Sequence, residues 1–288
     1  MMALITVLSA SGAPGCTTTA VGLALRWRRP VLLVEADTSG PAVLAGIFQG
    51  QLAPERGLVQ VAISYGQEEL TDLIWQQAIA LPGGTEASVL TGLDNPTQAA
   101  SVQHLWGDLA GALTALDSGG VDVIVDLGRL RLPADDRAPL LALSDQILLT
   151  TRSSLVDVHI AVMAARILRD KYDAGDTAMS ALGTLLINPD APYSAREIAK
   201  VLEIPAVIQL PFDPSTAATY CHGKNVSLLE PTSPSTEARP RFSAASRRAR
   251  RFHTAPLNRA LDSAVSTLTE RITTRKVALH GPALGRGE

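Results

Sequence analysis

Two glycines and two threonines near the start of the chain have the spacing of an anion-binding loop. Gly12 and Gly15 are three residues apart, and Thr17 and Thr18 follow closely. The stretch 9–20 reads Ser-Ala-Ser-Gly-Ala-Pro-Gly-Cys-Thr-Thr-Thr-Ala. The backbone N–H groups of such a loop, together with the N-terminus of a following helix, can hold a phosphate. The alternative is a tight strand-to-helix turn without a ligand, since glycine and proline are common in turns.

Two aspartates elsewhere in the chain stand where a cation could bind. Asp37 follows one apolar run, and Asp126 closes another. Carboxylates bind hard cations such as Mg²⁺ directly or through water. The alternative for both residues is that they cap the loop after their strand, which aspartate does well.

Apolar runs typical of strands alternate with helix-like stretches, and this order brings the candidate residues together. The predicted strands are 3–8, 31–36, 87–91, 121–126, 146–151, 182–187 and 206–210. The predicted helices lie near 17–27, 68–80, 97–116, 155–172, 194–202 and 257–275. The alternation predicts an α/β fold with a mainly parallel sheet of about seven strands and helices on both faces. The loop, Asp37 and Asp126 should then meet at the carboxyl edge of the sheet, where ligands of such folds bind.

The loop resembles the deviant Walker A motif, KGGxGK[ST][ST], of the MinD/ParA family of P-loop ATPases. Gly12, Gly15, Thr17 and Thr18 match this motif, and Ala13 replaces a glycine. Strand, glycine loop and helix is also the context in which a P-loop is found. The resemblance implies a P-loop NTPase fold. The Gly-x-x-Gly spacing does not suit a dinucleotide-binding Rossmann loop, which has Gly-x-Gly-x-x-Gly.

Both lysines of the motif are missing. Ser11 stands where the family has its signature lysine, which reaches the partner subunit's nucleotide. Cys16 stands where active P-loops have the lysine that touches the β- and γ-phosphates. A cysteine at a helix N-terminus tends to have a lowered pKa, and the resulting thiolate would repel a phosphate. The alternative is that Cys16 is an inert small residue that fits the turn. The first lysine of the chain is Lys171, so any substitute cation before it must be an arginine. Candidates are Arg26, Arg28, Arg29 and Arg129.

Three further segments resemble the family in order and spacing, across roughly residues 3–225. Asp37 ends a DxD-type motif with Glu35 in its first acidic place, and Asp126 lies in a strand similar to Walker B. The segment 208–213 resembles the late strand and turn written IPxD in the family.

The resemblance implies a ligand and roles for these residues. The ligand is ATP or ADP with Mg²⁺, although the missing lysines leave open that no nucleotide binds. Thr17 and Asp126 would hold Mg²⁺, and Asp37 would align a water, so both aspartates are catalytic candidates if the protein is active. Asn188 resembles the base-contacting asparagine, with a turn residue before Pro189 as its alternative. The loop residues implied to bind nucleotide are Gly12, Ala13, Gly15, Cys16, Thr17 and Thr18.

Three functions are compatible with this resemblance. The first is a scaffold or positioning factor for an envelope, secretion or partitioning machine, with little or no ATPase activity, by analogy with TadZ/CpaE-like proteins. The second is a working ATPase that dimerises on ATP and positions DNA or a protein cargo. The third, a P-loop synthetase acting on a small carboxylate, ranks last because it also needs the phosphate lysine. The family implies a homodimer. Because Ser11 cannot contact the nucleotide of the partner subunit as the signature lysine does, we expect the dimer to form without nucleotide.

The composition of the chain predicts its domain boundaries and identifies a basic segment. The 288 residues carry a net charge of −3. The two cysteines form no disulfide framework, and the sequence has no run of 18 apolar residues. These features predict a cytoplasmic protein without a transmembrane segment. The predicted organisation is a P-loop domain at 1–227, a Pro/Ser/Arg-rich linker at 228–252, and a C-terminal helix that packs on the domain, with a frayed tail, at 253–288. Four arginines of the linker could contact nucleic acid or anionic lipid, or form a solvated basic linker. They are Arg247, Arg248, Arg250 and Arg251.

Overall fold

The computed structural model describes most of the chain, and three of the predictions above fall outside what it describes. The described residues are 2–12, 15–40, 42–43, 45–51, 56–83, 85–172, 180–189, 192–229 and 244–280. The predictions for Ala13, for most of the linker at 228–252 and for the tail beyond residue 280 therefore lie outside the described residues.

A sheet of eight strands forms the centre of the fold. The strands are β1 (Leu4–Ser9), β2 (Val31–Glu35), β3 (Ile79–Ala80), β4 (Ala87–Leu90), β5 (Asp122–Arg129), β6 (Gln146–Arg152), β7 (Leu182–Ile187) and β8 (Ala206–Leu210). Their order is β3-β4-β2-β5-β1-β6-β7-β8, and every pair is parallel except β3 with β4. The predicted α/β fold with a mainly parallel sheet is confirmed. The additional strand, β3, has only two residues, which is too short to form a recognisable apolar run.

Helices connect the strands and cover both faces of the sheet. They are α1 (Cys16–Arg26), α2 (Leu58–Ser64), α3 (Leu70–Gln77), α4 (Ala99–Val102), α5 (Trp106–Ala115), α6 (Ala138–Ala142), α7 (Leu155–Tyr172), α8 (Ala195–Leu202), α9 (Pro214–His222), α10 (Ala244–His253) and α11 (Pro256–His280). The predicted helix at 97–116 is interrupted, because a 3₁₀ turn at Gln103–Leu105 separates α4 from α5. The predicted helix at 68–80 ends at Gln77, and the chain continues into β3.

Alternating side chains of the central strands build two apolar layers. Leu4 and Leu8 of β1 join the layer formed with α2 to α8, while Ile5 and Val7 join the layer formed with α1, α9 and α11. This alternation is the period of two that a strand imposes on its side chains. Because β1 and β5 are buried on both faces, the loops at their carboxyl ends start from a rigid base.

The basic segment before the last helix is itself helical, since α10 spans Ala244–His253. The linker at 228–252 remains a prediction. Alanine and arginine are strong helix formers, so a composition that cannot build a core can still form the helix α10. Phe252 is buried, and its ring centroid lies 6.1 Å from that of Tyr220 in α9. The helix α11 packs against α1, where a Cβ on Gly22 would stand 2.8 Å from Cδ1 of Leu261.

Candidate functional site

The glycine loop joins β1 to α1 and uses two backbone conformations that favour glycine. Gly12 has φ of 68° and Gly15 has φ of 106°. Gly15 is the N-cap residue of α1, and no side chain caps this end of the helix. Thr17 and Thr18 lie in the first turn and are half-buried. The first backbone N–H groups of α1 therefore point toward the loop without a side-chain acceptor, as an anion site requires.

Cys16 is a neutral thiol. Its side chain is buried, and burial raises the pKa of the thiol to about 12. The charge of Asp126 raises this pKa further, whereas the hydroxyls of Thr150 and Ser9 oppose the shift. The loss of hydration on burial is thus the largest influence on the pKa of this thiol. The structure therefore favours the inert alternative over a thiolate that repels phosphate.

Asp126 lies fully buried below the loop and has an acceptor atom without a partner. Its Oδ1 accepts a hydrogen bond of 3.1 Å from the backbone N–H of Gly128. Its Oδ2 has no hydrogen-bond partner among the described residues. Burial raises the pKa of Asp126 to about 7, with the nearby hydroxyl of Thr17 opposing this shift and the charges of Glu35 and Asp37 adding to it. A buried carboxylate oxygen of this kind is suited to a bound cation.

Asp37 reaches the same place because Gly128 has no side chain. Gly128 has φ of 63°, and a Cβ there would lie 2.0 Å from Oδ2 of Asp37. The Oδ1 atom of Asp37 accepts a hydrogen bond of 2.8 Å from the backbone N–H of Ser39. The two predicted aspartates thus converge at the carboxyl edge of the sheet, beside Thr17.

Glu35 has a different role, as an anchor for two loops. Its carboxylate is fully buried and accepts three backbone hydrogen bonds, from Ala42 at 2.7 Å, Val43 at 2.8 Å and Gly92 at 3.0 Å. Burial raises the pKa of Glu35, and these three donors oppose the shift. Because both oxygens are occupied, Glu35 orders the segments after β2 and β4 and is not available to a ligand.

Arg137 is a buried cation at the site that sequence reasoning missed. Its side chain is 1% exposed and pairs with Asp135 at 2.7 Å. Its guanidinium also donates to three backbone carbonyls at the ends of β2 and β5, which belong to Ala36, Leu127 and Arg129. Arginine at 137 lies in a short polar stretch with no motif, so only the folded chain reveals that it ties together the strands carrying both aspartates.

A pocket of about 280 Å³ opens beside the loop. The residues that line it come from the loop, α1, the ends of β6, β7 and β8, and the helices α9 and α11. They include Gly15, Thr18, Arg152, Ile187, Phe212 and Asp213. Asn188 lies at the end of β7 with φ of 58°, and its backbone carbonyl accepts from Ser153 at 2.5 Å. Asn188 follows the lining residue Ile187 but does not itself line the pocket described here.

The donor set fits Mg²⁺ only as part of a larger complex. Among the described residues, no group of three or more His, Cys, Asp or Glu side chains is placed to hold a metal ion. Thr17 and Asp126 offer one hydroxyl and one unpartnered carboxylate oxygen, and Mg²⁺ needs six oxygen ligands in all. Phosphate and water oxygens would have to complete the shell, as in nucleotide sites.

Solved structures share this architecture. No protein-family model and no curated protein sequence matches the chain. The cell division ATPase MinD of Pyrococcus furiosus is 15% identical, with a TM-score of 0.64 over 94% of this chain and 99% of that one. A ParA family ATPase from Chlorobium tepidum is 14% identical, with a TM-score of 0.63 over 91% and 98% of the two chains. The septum site-determining protein MinD of Pyrococcus horikoshii, solved with Mg-ADP, is 15% identical, with a TM-score of 0.62 over 99% and 100%.

The fold and the loop define the class of the protein. A parallel sheet with a glycine loop between β1 and α1 is a P-loop NTPase fold. Within this class, the fold is of the MinD/ParA type, as the sequence resemblance implies. No helix in the described part of the chain is long and apolar enough to cross a membrane.

Proposed function

We propose that the protein is a positioning scaffold of the MinD/ParA type that binds Mg-nucleotide weakly and turns over ATP at or near background. The observation that carries this proposal is the neutral, buried thiol of Cys16 at the place of the phosphate lysine. It lies above a carboxylate oxygen of Asp126 that has no partner among the residues the structure describes. The cradle and the cation ligand remain, while the charge for the phosphates is gone from the loop.

Three features support retained binding of a nucleotide. Gly12 and Gly15 have the positive φ angles that suit a phosphate-binding loop. Among the described residues, no side chain caps the first turn of α1. Thr17 and Asp126 would hold Mg²⁺, which neutralises the phosphates when it is bound. The pocket beside Gly15 has room for a base, and its apolar wall includes Ile187 and Phe212. The MinD of Pyrococcus horikoshii was solved with Mg-ADP, which makes this ligand class the first to test.

The missing charges support slow turnover. Phosphoryl transfer depends almost entirely on positioning and on charge stabilisation of the transition state. Removal of one such contact typically costs on the order of a hundredfold or more in rate. Ser11 and Cys16 replace two lysines, so Asp37 and Asp126 would orient water and Mg²⁺ around a poorly stabilised transition state.

Steady-state phosphate release from Mg-ATP tests the enzymatic half of this proposal. We expect the wild type to release phosphate at the rate of the Asp126→Ala variant and of a Cys16→Ala variant. Release well above both controls would contradict the proposal and favour the second candidate, a working ATPase switch that positions DNA or protein cargo. The convergence of Thr17, Asp37 and Asp126 is the observation that favours this second candidate.

Assembly is the remaining part of the proposal. We propose a homodimer that forms without nucleotide and docks a protein of an envelope, secretion or partitioning machine. An apolar face of α7 supports self-association, because Val156 and Met163 are 68% and 56% exposed. Nucleic acid is a further candidate partner, since the arginines of α10 are exposed to solvent, namely Arg247, Arg248, Arg250 and Arg251.

A further inference from the structure

Three of the four arginines that could replace the missing lysines lie far from the loop. Arg26 ends α1 and donates two hydrogen bonds to Asp262, at 2.6 and 2.5 Å. Arg28 and Arg29 follow it in the turn before β2. The 11 residues of α1 carry the chain roughly 16 Å away from the loop. These three side chains therefore lie at the opposite edge of the sheet from the loop.

The fourth, Arg129, lies beside the loop. It is the last residue of β5 and pairs with Ser9, the last residue of β1. A Cβ on Gly12 would lie 3.7 Å from Cδ of Arg129, so the arginine stem runs alongside this loop glycine. The Arg129 side chain is exposed, and its guanidinium makes no hydrogen bond or ion pair with the part of the chain that the structure describes. A cation near the loop is thus available to a ligand.

The backbone at Arg129 is held on both sides. A register shift in the β1–β5 pair places an additional residue in β5 just before its end. Such a bulge re-aims the side chains that follow it. The N–H of Leu130 donates to the carbonyl of Ser9 at 2.8 Å, and the buried Arg137 donates to the carbonyl of Arg129 at 2.8 Å. The position of the Arg129 stem is therefore set by the fold, while its charged end remains uncommitted.

A second observation points to the kind of ligand. The Oδ2 atom of Asp126 is buried at the same edge of the sheet and has no hydrogen-bond partner in the part of the chain that the structure describes, which suits a cation. A ligand that fits both groups carries a bound cation and anionic oxygens together. A nucleoside diphosphate or triphosphate with Mg²⁺ has this chemistry. The planar guanidinium of arginine can bind two phosphate oxygens through two parallel N–H donors, a fixed bidentate geometry that the ammonium of lysine does not offer.

We propose that Arg129 supplies, from the end of β5, the phosphate-binding charge that the loop has lost. The inference rests on the proposed function, since it requires Mg-nucleotide at the loop. It makes Arg129 a binding residue of this chain, located three positions after the cation ligand Asp126. The alternative role of Arg129 is to neutralise the acidic cluster around Asp126 without touching a ligand.

Calorimetric titration of the full chain with Mg-ADP and with adenosine distinguishes these roles. Arg129→Gln removes the charge and keeps the length of the stem, Arg129→Lys keeps a charge, and Arg28→Ala is a matched control for loss of an exposed arginine. We expect Arg129→Gln to weaken Mg-ADP binding by about tenfold to a hundredfold, the range for a hydrogen bond to a charged group. We expect an intermediate loss for Arg129→Lys, no change for Arg28→Ala, and unchanged adenosine binding throughout. Thermal melting of each variant confirms that it is folded.

The other outcomes overturn the inference in distinguishable ways. Equal Mg-ADP affinity of the wild type and Arg129→Gln would show that Arg129 does not touch the phosphates. Equal losses for Mg-ADP and adenosine would mean that Arg129 acts only through the shape of the site. A wild type that binds no Mg-ADP at millimolar concentration would instead reject the proposed nucleotide binding itself, and this inference with it.

Discussion

Cys16 and Asp126 share one buried environment below the loop, and that environment controls the charge of both. Burial and the neighbouring Asp126 raise the pKa of the Cys16 thiol to about 12, so it is neutral at physiological pH. Burial raises the pKa of Asp126 to about 7, so its carboxyl is only partly ionised there. These two side chains therefore carry little charge together, and a bound Mg²⁺ ion would favour the ionised form of Asp126.

We expect the metal-free protein to lose stability as the pH rises toward 8. The folded pKa of Asp126, about 7, lies above its ordinary value of 3.8, so the folded state holds this proton more tightly. The stabilising contribution is complete below the ordinary value and is lost as the pH rises through 7, by at most about 1.4 kcal/mol per pH unit. Thermal melting in EDTA at pH 5 and pH 8 should show this loss.

The Asp126→Asn variant is the control for this prediction. It keeps the shape of the side chain and cannot ionise, so its melting temperature should fall less between pH 5 and pH 8. Glu35, whose pKa is also raised by burial, is present in both proteins, so the dependence on pH that remains in Asp126→Asn includes its contribution. The same dependence on pH in both proteins would contradict the assignment of the shift to Asp126.

Hydrogen bonds from the buried guanidinium of Arg137 tie the ends of β2 and β5 together. Burial alone would raise the pKa of Asp135, but the hydrogen bonds and charge of Arg137 lower it overall. The guanidinium of Arg137 also donates a hydrogen bond to the carbonyl of Ala36, which is 101 positions away in sequence and immediately precedes Asp37. This clamp fixes the distance between the strands that carry Asp37 and Asp126, so it positions the site without touching a ligand.

Truncation of Arg137 should destabilise the protein strongly. Arg137→Ala leaves Asp135 with a buried charge and the carbonyls without donors, and loss of one member of such a pair typically costs about 3–5 kcal/mol. Urea denaturation measures this change. The double variant Arg137→Leu with Asp135→Leu should lose less, because no charge is left unpaired. A loss below about 1 kcal/mol for Arg137→Ala would contradict the clamp.

Patterns along the chain predicted the strands well and the site only in part. The seven predicted apolar runs match β1, β2 and β4 to β8. For β7 and β8 the predicted first and last residues are those of the structure, because polar residues on either side mark the ends of a buried strand. The basic helix α10 lies partly within the predicted linker, because alanine and arginine favour a helix even where few apolar residues are present to pack. The role of Arg137 could not be predicted, because its partners are distant in sequence. The neutral state of Cys16 depends on burial, which only the folded chain determines.

The molecule as a whole has a MinD/ParA-type fold at about 15% identity to the solved structures. The sheet and its two layers depend on alternating apolar positions, which many sequences satisfy. Phosphate binding depends on a few charges at fixed places, and Ser11 and Cys16 stand where the motif that the loop resembles has its lysines. The exposed apolar face of α7, formed by Leu155, Val156, Ile160 and Met163, starts next to the carboxyl edge where β6 ends. Apolar faces of this kind mark sites of association.

We expect a homodimer whose formation does not require nucleotide. Light scattering at several protein concentrations, with and without Mg-ATP, should give the same dimer fraction. The variant Val156→Glu with Met163→Glu should shift the equilibrium to monomer, because charges replace the apolar contact, whereas Val277→Glu on the exposed part of α11 should not. A monomer that dimerises only after addition of Mg-ATP would contradict this account and favour the ATP-driven switch.

Restoration of the missing lysine tests the central claim most directly. Calorimetric titration with Mg-ATP compares the wild type with Cys16→Lys, and with Cys16→Met as a control for side-chain length without charge. If the loop is a phosphate cradle that has lost its charge, Cys16→Lys should bind Mg-ATP about tenfold or more tightly than the wild type, while Cys16→Met should not. The same affinity in Cys16→Lys and Cys16→Met would contradict the account, because it would show that the geometry of the cradle has been lost along with its charge.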